Sequence, residues 1–147
     1  MTADERWNDR LMRRTGWRSD REAVLAIQQS RRWNGPDGVP PLGYVSAELQ
    51  ADREVVLAAV QKVGYALQYA STEMLSDREV VLAAVQNNGY MLQYASAELQ
   101  ADREVVLAAV KVEGGALRYA STEMKADRGI VMAAVTQSLS RSLDRLG

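Results

Sequence analysis

The chain of 147 residues contains no cysteine and no histidine. Without cysteine there is no disulfide, thiolate nucleophile or thiolate metal ligand; without histidine there is no imidazole base, and almost every transition-metal site goes with the two together. An excess of one charge is missing too. Lys+Arg number 18 against 19 Asp+Glu, for a formal net charge of −1, so no global field draws the molecule to nucleic acid or an anionic membrane. No stretch approaches the roughly 18 apolar residues of a membrane span. The opening, MTADERWNDR, is charged where a signal peptide would turn apolar. These absences lead to the expectation of an intracellular, soluble protein that is not an enzyme, holds no metal and takes no cofactor.

What is present is enough for a globular domain: 47% hydrophobic and 25% charged residues. It is also repetitive. The word SAELQADREVVLAAV stands at residues 46–60 and again, letter for letter, at 96–110. Cutting the chain every 25 residues aligns four units, beginning at Tyr44, Tyr69, Tyr94 and Tyr119. Units one and three share the long word, while units two and four share ASTEM, so the array reads as a 50-residue pair copied once. An eroded earlier unit shows at DREAVLAIQQS; its Asp20 precedes Asp52 by 32 residues, which fits an insertion within RRWNGPDGVPP.

The core of each unit, DREVVLAAVQKVG, reads as a helix. Asp52 is a good N-cap, Glu54 an acidic residue in the first turn, Ala58 and Ala59 favour helix, and Gly64 is the expected C′ stop. Ser76 and Glu79 also stand at capping-box spacing before VVLAAV. Val55, Val56, Ala59 and Val60 share one face. After the glycine, Leu67, Ala70 and Met74 are spaced for a second, antiparallel helix that Ser71 is placed to break. Val-rich helices of this length are marginal alone, so units must stack to bury a shared core. The fold class is therefore all-α: a short α-solenoid of about four to five 25-residue helical-hairpin repeats with N- and C-terminal capping helices. It forms a single domain in which residues 1–19 are the opening cap, 20–43 the degenerate repeat with insertion loop 31–41, and 44–68, 69–93 and 94–118 full repeats. Residues 119–147 hold the last repeat and a long closing helix, with Val135, Leu139, Leu143 and Leu146 on its apolar side.

The stretch SDREVVLAAVQNNGYMLQYAS, within residues 76–96, resembles the repeat called domain of unknown function 4116 through its Asp-Arg-Glu core, the glycine that follows and its Leu-Gln-Tyr-Ala-Ser tail. The resemblance covers about residues 44–138, with an echo from Asp20. It implies a small all-helical repeat and carries no catalytic motif. The last unit departs from the pattern at Gly129, where glutamate is expected, and at Leu139, where the glycine is missing.

Comparison of the units with one another locates the candidate site. Val60, Val85, Val110 and Val135 never change, whereas Lys62, Asn87, Val112 and Gln137 share a variable column, as do Val63, Asn88, Glu113 and Ser138. Lys62, Tyr65, Asn87, Asn88, Tyr90 and Glu113 thus define a recognition rim at the end of the first helix, with unselected surface drift as the other explanation. The tyrosines that open each unit read as half-buried architecture with their hydroxyls in water. The Asp-Arg-Glu triplets read as helix caps in which arginine offsets the charge of its own neighbours. A second candidate is Trp33, flanked by Arg31 and Arg32 in the insertion loop. It suits a protein-docking anchor or base stacking, or else a plug over the open end of the array. All three tryptophans and eight arginines lie within residues 1–33, leaving ten basic and fourteen acidic residues for the remainder. The expectation is a noncatalytic scaffold that binds another protein and is open to end-to-end self-association. The alternative is an RNA or single-stranded nucleic-acid binder, which the acidic repeats oppose.

Overall fold

Each unit begins where an aspartate turns the chain into a helix. The backbone at Asp52 is extended, and its Oδ1 accepts hydrogen bonds from the N–H groups of Glu54 and Val55 at 3.1 and 3.2 Å. Asp77 and Asp102 do the same in the next two units, and Asp127 Oδ1 accepts from Ile130 N–H at 3.1 Å. Ser76 does not share this role: it closes the preceding turn in a helical conformation, and the cap belongs to Asp77 alone. In the computed structural model residues 40–146 are described. The opening cap, most of the degenerate repeat and Trp33, Arg31 and Arg32 lie outside the described residues.

The α-helices, in chain order, are α1 (Ala47–Gln50), α2 (Arg53–Lys62), α3 (Thr72–Leu75), α4 (Arg78–Asn87), α5 (Ala97–Gln100), α6 (Arg103–Val112), α7 (Thr122–Lys125) and α8 (Arg128–Leu146). Each ten-residue helix buries the face its spacing defines: Val55, Val56, Ala59 and Val60 in α2, and the matching residues in α4 and α6. These merge into one continuous core.

The second leg of each unit is not the single antiparallel helix that its spacing suggests. It is a six-residue 3-10 helix (Gly64–Tyr69, Gly89–Tyr94, Gly114–Tyr119), an extended pair of residues, then one α-helical turn. The break falls at Ser71, as expected, and its cause is a hydrogen bond between units. Ser71 N–H donates to Gln50 O of the previous unit at 2.9 Å instead of to Leu67 O, which accepts from Ala70 N–H at 3.1 Å. Ser96 N–H to Leu75 O and Ser121 N–H to Gln100 O repeat the tie at 3.0 and 2.9 Å. A local i→i+4 helix therefore loses to a ladder between units.

The long helices adjoin their successors side by side, and each 3-10 leg lies between its own helix and the next. N-terminal ends meet through Arg53 and Asp77, C-terminal ends through Gly64 and Ala84, so neighbouring helices run in the same direction. The units form an α-solenoid. Among the described residues there is no strand, and no helix is long and apolar enough to cross a membrane. The last unit lacks both glycine and 3-10 leg, and α8 runs on for 19 residues. It ends the array without covering its own apolar side: Val135, Leu139, Leu143 and Leu146 are 47%, 59%, 67% and 84% exposed.

Gly64 is required for a reason other than helix termination. Val63 already ends α2 in an extended conformation, and neither Gly64 nor its counterparts Gly89 and Gly114 adopt a left-handed φ. A Cβ on Gly64 would lie 2.9 Å from Ala84 O; on Gly89 or Gly114 it would lie 2.4 Å from Ala109 O or Ala134 O. Those oxygens belong to the next unit's helix backbone and cannot swing aside. Gly115, by contrast, faces only the Tyr90 side chain, whose hydroxyl is 3.2 Å from the would-be Cβ. Gly89→Ala is expected to destabilise the protein by about 1–3 kcal/mol through overpacking. Gly115→Ala is expected to be neutral or stabilising by up to about 1 kcal/mol through lower unfolded-state entropy. Urea unfolding midpoints of the two variants check this, and equal losses would refute it.

Candidate interaction surface

The side-by-side helices give the array two edges of different chemistry. Along the N-terminal edge the Asp-Arg-Glu triplets link units. Arg53 donates through Nε to Asp77 Oδ2 at 2.7 Å and through its terminal nitrogen to Glu79; Arg78 does the same to Asp102, at 2.9 Å, and to Glu104. Each guanidinium thus forks between two carboxylates of the following unit rather than offsetting its own neighbours. Arg103 reaches Asp127 at 3.1 Å, but Gly129 stands where the second carboxylate would be, and a Cβ there would meet Arg103 at 2.7 Å.

These contacts set the charge states. The Arg78 guanidinium, then the amide N–H groups of Val105 and Glu104, hold the Asp102 carboxyl below the usual range against an opposing push from burial. The Ile130 N–H and Arg103 do the same for Asp127. At Asp77 burial pushes upward most, and Arg53 with the Val80 and Glu79 amides outweighs it, so the net shift is downward. The hydrogen bonds and charges of Asp102 and Glu104 raise Arg78 still further above its ordinary value. The carboxylates are thereby committed to caps and pairs, and among the described residues no three His, Cys, Asp or Glu are grouped to hold a metal ion.

The C-terminal edge carries the residues picked out by their variability. Lys62 is exposed at the end of α2, and Tyr65 is exposed on the first 3-10 leg. Asn87 reaches back across the unit boundary, its Oδ1 accepting from Gly64 N–H at 2.8 Å. Gln137 repeats this on Gly114 N–H at 2.6 Å and donates to Val112 O at 3.0 Å. Val112, the residue between them in the column, has no polar atom to offer Gly89. Asn88 Oδ1 accepts from Tyr90 N–H at 3.1 Å, starting the second 3-10 leg. Glu113 is 85% covered, because Arg141 of α8 folds both terminal nitrogens onto it. Lys62, Tyr65, Asn87, Asn88, Tyr90 and Glu113 therefore do lie along one edge, and Asn87 and Glu113 also join units.

An open groove runs along this edge between the second and third 3-10 legs, lined by Tyr90, Gln93, Gly115, Arg118 and Tyr119. Tyr90 lies over Gly115 in the room left by the missing side chain. The Arg118 guanidinium is 4.7 Å from the centre of the Tyr119 ring, a cation–π contact, and donates to its hydroxyl. Arg118 and Tyr119 are additions to the rim. Arg118 was marked in the sequence as the one cation in a column that otherwise holds Gln68 and Gln93; Tyr119 belongs to the architectural ladder and carried no such mark. The other ladder tyrosines, Tyr44, Tyr69 and Tyr94, are half-buried against the core.

The fold and the edge together define a helical-repeat array of 25-residue units with one constant and one varied side. The family described as Domain of unknown function (DUF4116) matches residues 34–75, 52–100, 77–125 and 102–143, in steps of the same 25-residue period through the three full units, and the chain belongs to that family. No curated protein and no solved structure matches it.

Two outcomes follow from the edges. Because Asp77, Asp102 and Asp127 titrate lower folded than unfolded, their stabilisation is complete above the ordinary aspartate value near 3.8 and is lost as pH falls below it. Thermal midpoints should therefore decline between about pH 4 and pH 2, and the triple variant Arg53→Gln, Arg78→Gln, Arg103→Gln should flatten that decline; an unchanged slope would refute the ladder. At the other edge, Val112→Gln should give Gly89 N–H the acceptor its neighbours enjoy and raise stability by about 1 kcal/mol. Val112→Ala serves as the control that must not do so.

Proposed function

We propose that the chain is a noncatalytic helical-repeat scaffold that binds another protein along the C-terminal edge of its helices, as an accessory subunit of a larger assembly. The observation that carries this reading is the division of labour within one repeated frame. The N-terminal edge repeats the Asp-Arg-Glu fork at its first two junctions and keeps its Arg–Asp half at the third, while the groove edge presents Tyr65, Tyr90 and Gly115 in one column and Gln68, Gln93 and Arg118 in another. A rigid frame with varied side chains on one side is the arrangement solenoids use for extended recognition surfaces, and tyrosine and arginine are the residues that most often anchor such contacts.

A second reading, single-stranded RNA binding, draws on one feature: Arg118 and Tyr119 offer a cation and an aromatic face in an open groove, which a base could stack against. The fourteen acidic residues against ten basic ones beyond residue 33 oppose it. Capture from native lysate, with and without nuclease, separates the two. The full chain should retain a protein partner after nuclease treatment, and a Tyr90→Ala, Arg118→Ala double variant should lose it at least tenfold, roughly the effect of removing one hot-spot residue. Recovery of RNA-dependent material alone would overturn the scaffold reading in favour of the second.

A further inference from the structure

The two edges of the array differ in sign. Among the described residues thirteen are acidic, and eleven of them stand in the one-turn helices that lead into the long helices or in the segments that start them, so the acids gather at the N-terminal edge. Of the other two, Glu113 is paired with Arg141, and Asp144 lies near the far end of α8. Lys62, Lys111 and Arg118 give the groove edge its positive sign.

The groove lies where a bond of the previous junction is missing. Between the first and second 3-10 legs, Tyr94 donates its hydroxyl to Gln68 Oε1 at 3.4 Å. Between the second and third, Gln93 turns its amide to Tyr90 O at 3.1 Å, and the hydroxyl oxygen of Tyr119 accepts from Arg118. A phenol that accepts in this way keeps its own proton to donate, and Tyr119 has no acceptor for it among the described residues. Arg118 likewise has no carboxylate partner among them. The walls thus offer guanidinium and phenol donors and contain no acid, while Gln93 Oε1 stands beside them as an acceptor.

We propose that the groove seats an acidic peptide segment of the partner, one carboxylate lying on Arg118 and the Tyr119 hydroxyl while the neighbouring side chain lies against the Tyr90 ring. This deepens the scaffold reading and rests on it. The planar fork of an arginine matches a carboxylate through two parallel hydrogen bonds, and Gln93 Oε1 is placed to accept from the peptide backbone. Nucleic acid is the competing anion. Its phosphates recur along the strand and are neutralised by cations that recur with them, but Gln68 and Gln93 hold the Arg118 column on the other two legs. A single cation beside uncharged amides suits a single carboxylate.

Titration of the isotope-labelled full chain with the capped peptide Glu-Tyr-Glu-Tyr-Glu, followed by nuclear magnetic resonance, tests the inference. The peptide should shift the amide signals of Tyr90, Gly115 and Arg118 to saturation. Arg118→Gln gives the third leg the residue that the first two carry, so the rest of its spectrum should match wild type; it should weaken binding about tenfold, the effect of losing one charge-assisted hydrogen bond. Lys111→Gln removes an equal charge from the same edge outside the groove and should leave binding unchanged. Exchanging the peptide's glutamates for glutamines should cost at least as much as Arg118→Gln. Wild-type signals that do not move overturn the proposal, as do an Arg118→Gln chain that binds like wild type, an equal loss in Lys111→Gln, and equal binding of the glutamine peptide. Tighter binding of an oligouridylate of the same length at the same signals overturns it in favour of nucleic acid. Capture from lysate does not use this peptide. A protein retained there beside an unresponsive groove leaves the scaffold reading standing and removes only the acidic occupant, while a responsive groove with no protein retained does the reverse.

Discussion

Everything in the array depends on a contact in which no side chain takes part on one side. The glycine that opens each 3-10 leg lies so close to a carbonyl of the next helix that a single methyl group would collide with it. That approach fixes the distance between successive units, and the other junction contacts need that distance. With it, Arg78 spans to both Asp102 and Glu104, Ser96 N–H reaches Leu75 O, and Val85 is sealed from water. The last unit has no such glycine, and there the chain continues as a plain helix. The constraint acts on the backbone, which is why neighbouring side chains could diverge while the period stayed at 25 residues.

Fixing the spacing also separates the two edges by function. At the N-terminal edge the same residues both cap a helix and bind the previous unit, so Asp77 cannot change without losing two kinds of hydrogen bond. At the C-terminal edge the joining role is distributed. Asn87 serves one junction, Gln137 with Arg141 another, and Val112 none. Substitution there costs less, and that is where Gly115 stands in the column of Tyr65 and Tyr90, and Arg118 in the column of Gln68 and Gln93.

Much of this was legible before any coordinates. The repeat period, the long helices with their buried Val55, Val56, Ala59 and Val60, the aspartate caps and the run-on of α8 all follow from local patterns, because helices and caps are decided within a few residues. What could not be read was whatever a residue does to the next unit. An arginine beside an aspartate and a glutamate looks like local neutralisation, although its partners lie 24 and 26 residues on. A glycine after a helix looks like a left-handed stop, although its role is a close approach 20 residues away. The second leg looks helical because Leu67, Ala70 and Met74 keep helical spacing, and only the Ser71–Gln50 bond shows why it tightens and breaks. For the candidate site, column variation picked out residues that lie along one edge but could not tell that Asn87 and Glu113 also bind units together, nor that Tyr119 lines the groove.

The amide latches are unevenly distributed among the junctions, and the groove falls where they are missing. At the C-terminal edge the first junction is fastened by Asn87 and the third by Gln137 and Arg141, whereas at the second Val112 fastens nothing. The opposite edge of that same junction is held firmly by the Arg78 fork. Its C-terminal edge is instead held by backbone packing, through the close approach of Gly89 to Ala109 O. That boundary, between the second and third units, is where Tyr90, Gln93, Gly115, Arg118 and Tyr119 face one another, so the groove opens where no side-chain amide crosses the junction and its lining side chains keep their polar groups for other contacts.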